Sequence, residues 1–141
     1  MVVTAAELIR TDPPSVNFAR DDELSKAIEG LGGHDFRTFR VSAGQAKTKE
    51  ELLDRFALAL KFPSYFGRNW DALADNLADM EWAPANGYVI VVDEAQQLFK
   101  EIPDAGGRLV AVAEQVAEEW RKRGKPFHLF FVYPRESTPT R

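Results

Sequence analysis

The sequence predicts an α/β protein in which a small parallel sheet of three strands is packed with helices. Two short apolar runs, Tyr88 to Val92 and Phe127 to Tyr133, have the length of buried strands, and a weaker run covers Phe36 to Val41. Helical patterns separate these runs, so right-handed crossovers and parallel pairing are expected. Four or five helices and an N-terminal helical extension complete this prediction.

The first two helices are predicted from apolar residues at three- and four-residue spacing together with start and stop signals. The first begins at Asp21 and is ended by Gly32-Gly33. Thr48 and Glu51 have the form of a capping box, which starts the second helix, and Pro63 follows its end.

Three later helices are predicted in the same way. The first of them runs from Asn69 to Met80, and the next is opened by Asp93 or Glu94 and closed by Pro103. Asp104 caps the longest helix, which Gly124 ends.

Length and composition fit one globular domain. The chain has 141 residues, of which 45% are hydrophobic and 28% charged. We divide it into an N-terminal extension packing on the domain (1–33), the domain itself (34–133) and a flexible tail (134–141). Because the chain has no cysteine, disulfides and thiolate chemistry are excluded. No secretory signal or membrane span is visible, so a cytoplasmic location is expected.

The negative charge is concentrated in the middle of the chain. Residues 69–99 contain six of the 22 acidic residues and no Lys or Arg, so the remainder carries 16 acids and 18 bases. Nucleic-acid binding needs clustered Lys and Arg, and this distribution argues against it. A basic protein is the expected partner.

The helix from Asn69 carries an acidic face. At about 100° per residue, Asp71, Asp75 and Asp79 lie one turn above another, on a different face from the apolar residues. Like charges at this spacing each cost about 0.2–0.5 kcal/mol, so the pattern is locally unfavourable. Contact with a basic partner and an ordinary solvated face remain equal alternatives from spacing alone.

The sequence offers little enzymatic chemistry. His34 and His128 are isolated and are interpreted as structural, and Gly106-Gly107-Arg108 lacks the lysine and spacing of a phosphate loop. Asp71 and Asp75 alone supply too few ligands for a divalent cation. We therefore expect no catalytic residues, metal or cofactor, although an acid-dependent hydrolase using these two aspartates remains the least favoured alternative.

Residues Phe62 to Leu77 closely resemble the signature of the barstar family, proteinaceous inhibitors of small microbial ribonucleases such as barnase. The matching positions are Pro63, Tyr65, Gly67, Asn69, Asp71-Ala72-Leu73, Asp75 and Leu77. Weaker similarity runs from about Phe36 to Val132. The resemblance implies a three-stranded barstar-like fold and an inhibitor whose acidic helix enters the basic cleft of a small secreted ribonuclease, with no membrane or nucleic acid as partner.

The resemblance also implies roles for single residues. Asp75 matches the carboxylate that occupies the site of the substrate phosphate, and Asp71 matches a second acid that pairs with a cation. Tyr65 matches an aromatic contact. Gly67 and Asn69 match positions near the interface. Glu119 matches an acid at its edge, although periodicity alone favours a solvated charge.

Some positions depart from the family pattern. Ala74 stands where the prototype has an interface tryptophan, and Arg123 replaces an acid near the end of the long helix. Asn76 and Lys125 replace cysteines of the prototype. These departures leave a second hypothesis open, in which a barstar-like interaction module binds another basic protein or a toxin that is not a ribonuclease.

Overall fold

The structure is a computed structural model that describes residues 15–63 and 67–133. Tyr65 and the predicted tail 134–141 lie outside the described residues. The described strands are β1 (Ser15–Arg20), β2 (Phe36–Ser42), β3 (Gly87–Asp93) and β4 (Phe127–Tyr133). The helices are α1 (Asp21–Glu29), α2 (Lys49–Leu60), α3 (Trp70–Asp79), α4 (Ala95–Glu101) and α5 (Pro103–Lys122).

The sheet has four strands in the order β1-β4-β3-β2, and all neighbours pair in parallel. The α/β class and the parallel sheet are confirmed, but the prediction of three strands is wrong. The additional strand, β1, lies at the edge and pairs Ser15 with His128 through Arg20 with Tyr133. Its local pattern is weak because only Val16 and Phe18 are bulky and apolar, so the pairing depends on a distant strand.

The two faces of the sheet are covered by different parts of the chain. Helices α2 to α5 bury one face, where Ile90 and Leu129 lie in the larger core cluster. The other face packs against α1, whose Leu24 and Ala27 are buried. Five strand residues belong to that smaller cluster: Ala19, Val89, Val91, Phe130 and Val132. Burial on both faces explains why β3 and β4 read as continuous apolar runs.

Specific polar contacts fix the helix ends and the edge of the sheet. Thr48 caps α2 by accepting a hydrogen bond from the Glu51 amide at 3.1 Å. The Glu51 side chain accepts from the amide of Lys47 at 2.7 Å, one residue earlier than the capping box predicts. At the β2 edge of the sheet, the Arg40 side chain donates hydrogen bonds to the carboxylates of Asp93 and Asp21.

In the described ranges, no helix combines the length and apolar character needed to cross a bilayer.

Candidate partner-binding surface

The start of α3 is fixed by its own sequence. Asn69 is the N-cap, and its side-chain oxygen accepts a hydrogen bond from the Ala72 amide at 2.7 Å. Its side-chain nitrogen donates to the Gly67 carbonyl at 3.3 Å, which ties the preceding loop to the helix. Gly67 and Asn69 are both exposed there. The helix predicted from Asn69 to Met80 is confirmed, and Met80 ends it in the left-handed conformation with φ 53°.

The two faces of α3 differ in the way the spacing predicts. Leu73 and Leu77 are fully buried on the core side. Asp71, Asp75 and Asp79 are exposed. Among residues 15–63 and 67–133, none of the ion pairs involves these three carboxylates. Their charge is therefore available to a partner.

Helix α5 runs beside α3 in the same direction and holds its end. The indole nitrogen of Trp120 donates to the Leu77 carbonyl at 2.9 Å, and the ring is 5% exposed. Arg123 donates to the Ala78 carbonyl, one residue further along. These bonds satisfy carbonyls that lie in the last turn of α3.

Two of the positions that depart from the family pattern have structural partners. The Asn76 amide is buried and donates to the Ala72 carbonyl at 2.8 Å, within α3. The Lys125 ammonium lies 5.5 Å from the centre of the Trp120 ring and 5.7 Å from that of Tyr88. Asn76 therefore stabilises α3 from within, and Lys125 packs against aromatic rings of α5 and β3.

A groove of about 480 Å³ lies between α3 and α5. Its α3 side is formed by Trp70, Asp71, Ala74 and Asp75, and its α5 side by Arg108, Ala111, Val112 and Gln115. The structure thus brings Asp71, Ala74 and Asp75 together.

Glu119 is exposed one helical turn beyond Gln115 and does not line the groove. The assignment of the seven predicted site residues to an interface stays a prediction.

Sequence reasoning missed two cations beside this surface. Arg68, directly before the N-cap, forms a bidentate pair with Asp54 of α2 at 2.8 and 3.0 Å. Arg108 faces the groove, and the spacing of positions 108, 111, 112 and 115 along α5 could have indicated a shared face. Arg108 gives the otherwise acidic surface a positive group on its opposite wall.

The chemistry of the surface is that of ion pairing. Exposed carboxylates on a helix bind guanidinium, ammonium or imidazolium groups of a partner.

In the part of the chain that the structure describes, no group of three His, Asp or Glu side chains could hold a metal ion. His128 is 2% exposed within β4 and lies away from the groove lining.

Comparison with known protein families identifies a relationship for most of the described chain. The family model described as barstar (barnase inhibitor) matches residues 36–132, more than half of the chain. The match begins at β2 and includes α3, the groove and most of β4. A comparison with curated proteins finds no significant match. Since the family model covers the sheet from β2 to β4 and the whole acidic surface, the chain belongs to the barstar family.

Proposed function

We propose that this protein is an inhibitor, acting as an immunity protein, that binds a small secreted ribonuclease and blocks its basic active site with α3. The observation that carries the proposal is the exposed ladder of Asp71, Asp75 and Asp79, which has no ion pair among the described residues. Membership of the barstar family supports the same conclusion.

The mechanism follows from charge complementarity. A ribonuclease cleft is lined with cations that bind the RNA phosphates, and carboxylates spaced along a rigid helix meet the same cations. In this mechanism Asp75 takes the place of the substrate phosphate, and Asp71 pairs with a neighbouring cation. Gly67, Asn69 and Glu119 lie at the margin of the proposed contact, and the family resemblance adds Tyr65 as an aromatic contact. The inhibitor needs no cofactor and protects the cytoplasm of the producing cell.

The test is inhibition of a panel of small ribonucleases, barnase included, by the wild type and by Asp75→Ala. We expect the wild type to inhibit at least one member and Asp75→Ala to raise the inhibition constant by about 100-fold or more, as for a central interface residue. Glu114→Ala is the matched control because Glu114 is exposed on α5 and does not line the groove. Equal inhibition by the wild type and Asp75→Ala would refute the proposed site.

In a second candidate function, the same α3 surface binds a protein that is not a ribonuclease. Ala74 and Arg123 depart from the family pattern, and Arg108 adds a cation to the groove lining, so this surface differs from that of the ribonuclease-binding prototype. These residues favour a barstar-like module for another basic protein, such as a toxin that is not a ribonuclease. Absence of inhibition across the whole ribonuclease panel, together with retained folding, is the result that would select this function.

A further inference from the structure

The groove beside Ala74 separates the acidic ladder from α5. Its floor consists of small or buried side chains: Ala74, Ala111 and Val112, the last of which is 6% exposed. Trp70, one turn before Ala74, is half-buried and forms one wall. The groove of about 480 Å³ has the size of sites that accept whole side chains or small ligands.

A partner that contacts the acidic ladder also covers this groove. Asp71 and Asp75 line the groove themselves, so a nuclease bound to them lies directly above it. The centre of a specific interface is packed about as densely as a protein interior. A flat partner surface would leave the groove empty or filled with water, which favours a partner that inserts a side chain.

The charges around the groove determine what kind of side chain fits. Asp71 and Asp75 on one wall disfavour an anion. Arg108 on the other wall repels a cation, and in the proposed function both aspartates are already paired with cations of the enzyme. The Trp70 ring and Val112 supply an apolar lining. An uncharged aromatic ring satisfies all of these contacts, and Gln115 at the rim can bond to a hydroxyl group on it.

We infer that the ribonuclease inserts an aromatic side chain, supplied from the edge of its basic cleft, between α3 and α5. The inference rests on the proposed function and adds one feature to it: the large side chain at this point comes from the enzyme, and the inhibitor supplies the cavity. Cations of the enzyme bind Asp71 and Asp75 at the same time, outside the groove.

The test fills the groove from the inhibitor's own side. Ala74→Trp places an indole ring where the partner's ring would lie, and Ala111→Leu narrows the same space from α5. We expect each variant to raise the inhibition constant by about 10-fold or more against the ribonuclease that the wild type inhibits best. Leu58→Trp, on the exposed face of α2 where Leu58 is 73% exposed, is the control for added bulk and should be neutral.

The same titrations include Asp75→Ala, which separates the two proposals. If Asp75→Ala loses inhibition while Ala74→Trp and Ala111→Leu inhibit as well as the wild type or better, the inserted ring is refuted and the inhibitor function stands. If Asp75→Ala inhibits like the wild type, or the wild type inhibits no ribonuclease, both proposals fail. Thermal unfolding of each variant ensures that only folded proteins are compared.

Discussion

Arg123 donates a hydrogen bond to the backbone carbonyl of Ala78 while its guanidinium carbon lies 4.4 Å from the centre of the Trp120 ring. Trp120 itself bonds to the carbonyl of Leu77. The end of the acidic helix is therefore held by Trp120 of α5 and by Arg123, the residue directly after α5, whose guanidinium stacks on the Trp120 ring. A cation at this point also offsets the negative end of the helix dipole next to Asp79.

Arg123→Ala should loosen the last turn of α3 and lower the free energy of unfolding by about 1 kcal/mol, because the Ala78 carbonyl loses a charged donor at an exposed position. Hydrogen exchange of the amides from 76 to 80 and urea denaturation measure the two effects. Lys122→Ala, which alters a neighbouring exposed cation, should change neither. Unchanged exchange at the end of α3 in Arg123→Ala would contradict this role.

Asn69→Ala should destabilise the protein by about 1 kcal/mol, since it removes the N-cap bond to the Ala72 amide and the bond to Gly67. Asn69→Asp keeps an accepting oxygen and should recover most of the loss. Thermal unfolding measures both changes. If Asn69→Asp were as unstable as Asn69→Ala, the capping oxygen would not be the cause.

Under the proposed function, association with the ribonuclease should slow as salt is added. Raising the ionic strength from about 0.01 M to about 0.15 M shortens the Debye length from about 30 Å to about 8 Å, which screens the three exposed aspartates. We expect the association rate constant to fall by about 10-fold or more over this range in stopped-flow measurements. Asp71→Asn should reduce the slope, and a salt-independent rate would exclude electrostatic steering.

The contribution of Asp93 to the free energy of unfolding should fall as pH rises, which is the opposite of the usual behaviour of an aspartate. Burial at the end of β3 raises the pKa of Asp93 above its ordinary value of 3.8, although the Arg40 guanidinium opposes the shift. Between the two values the folded state binds more protons than the unfolded state, so this contribution to stability is present below pH 3.8 and is lost as pH rises through the raised pKa. Asp93→Asn should remove that decline from stability curves measured by urea denaturation.

Glu118 provides a control of opposite sign for the pH experiment. A hydrogen bond from Arg121 lowers the pKa of Glu118 from its ordinary value of 4.5. Its contribution is therefore present above that value and is lost as pH falls through the lowered pKa. Glu118→Gln should remove a loss of stability on acidification. For Asp93, parallel curves of unfolding free energy against pH for the wild type and Asp93→Asn would contradict the assignment.

Local patterns predicted α3 and its acidic face well. The cap at Asn69, the apolar spacing of Leu73 and Leu77, and the aspartate ladder are all properties of neighbouring residues, which a sequence displays directly. Strands β3 and β4 were predicted for a related reason, because burial on both faces leaves a continuous apolar run.

Features that depend on distant residues could not be predicted in this way. Strand β1 forms only through its pairing with β4, and the partners of Arg40 lie on α1 and β3. The groove likewise exists because α5 runs beside α3 and brings Arg108 to the acidic side. No spacing within one segment contains that information.

The place of β1 in the sheet has a consequence for how the molecule is made. Ser15 pairs with His128, more than one hundred residues away, so the first described strand can pair only after the ribosome has synthesised the chain as far as β4. Closing so long a loop is entropically costly and slows folding. Strand β1 is therefore paired late in synthesis. Under the proposed function, a cell that makes the target enzyme needs a reserve of fully folded inhibitor.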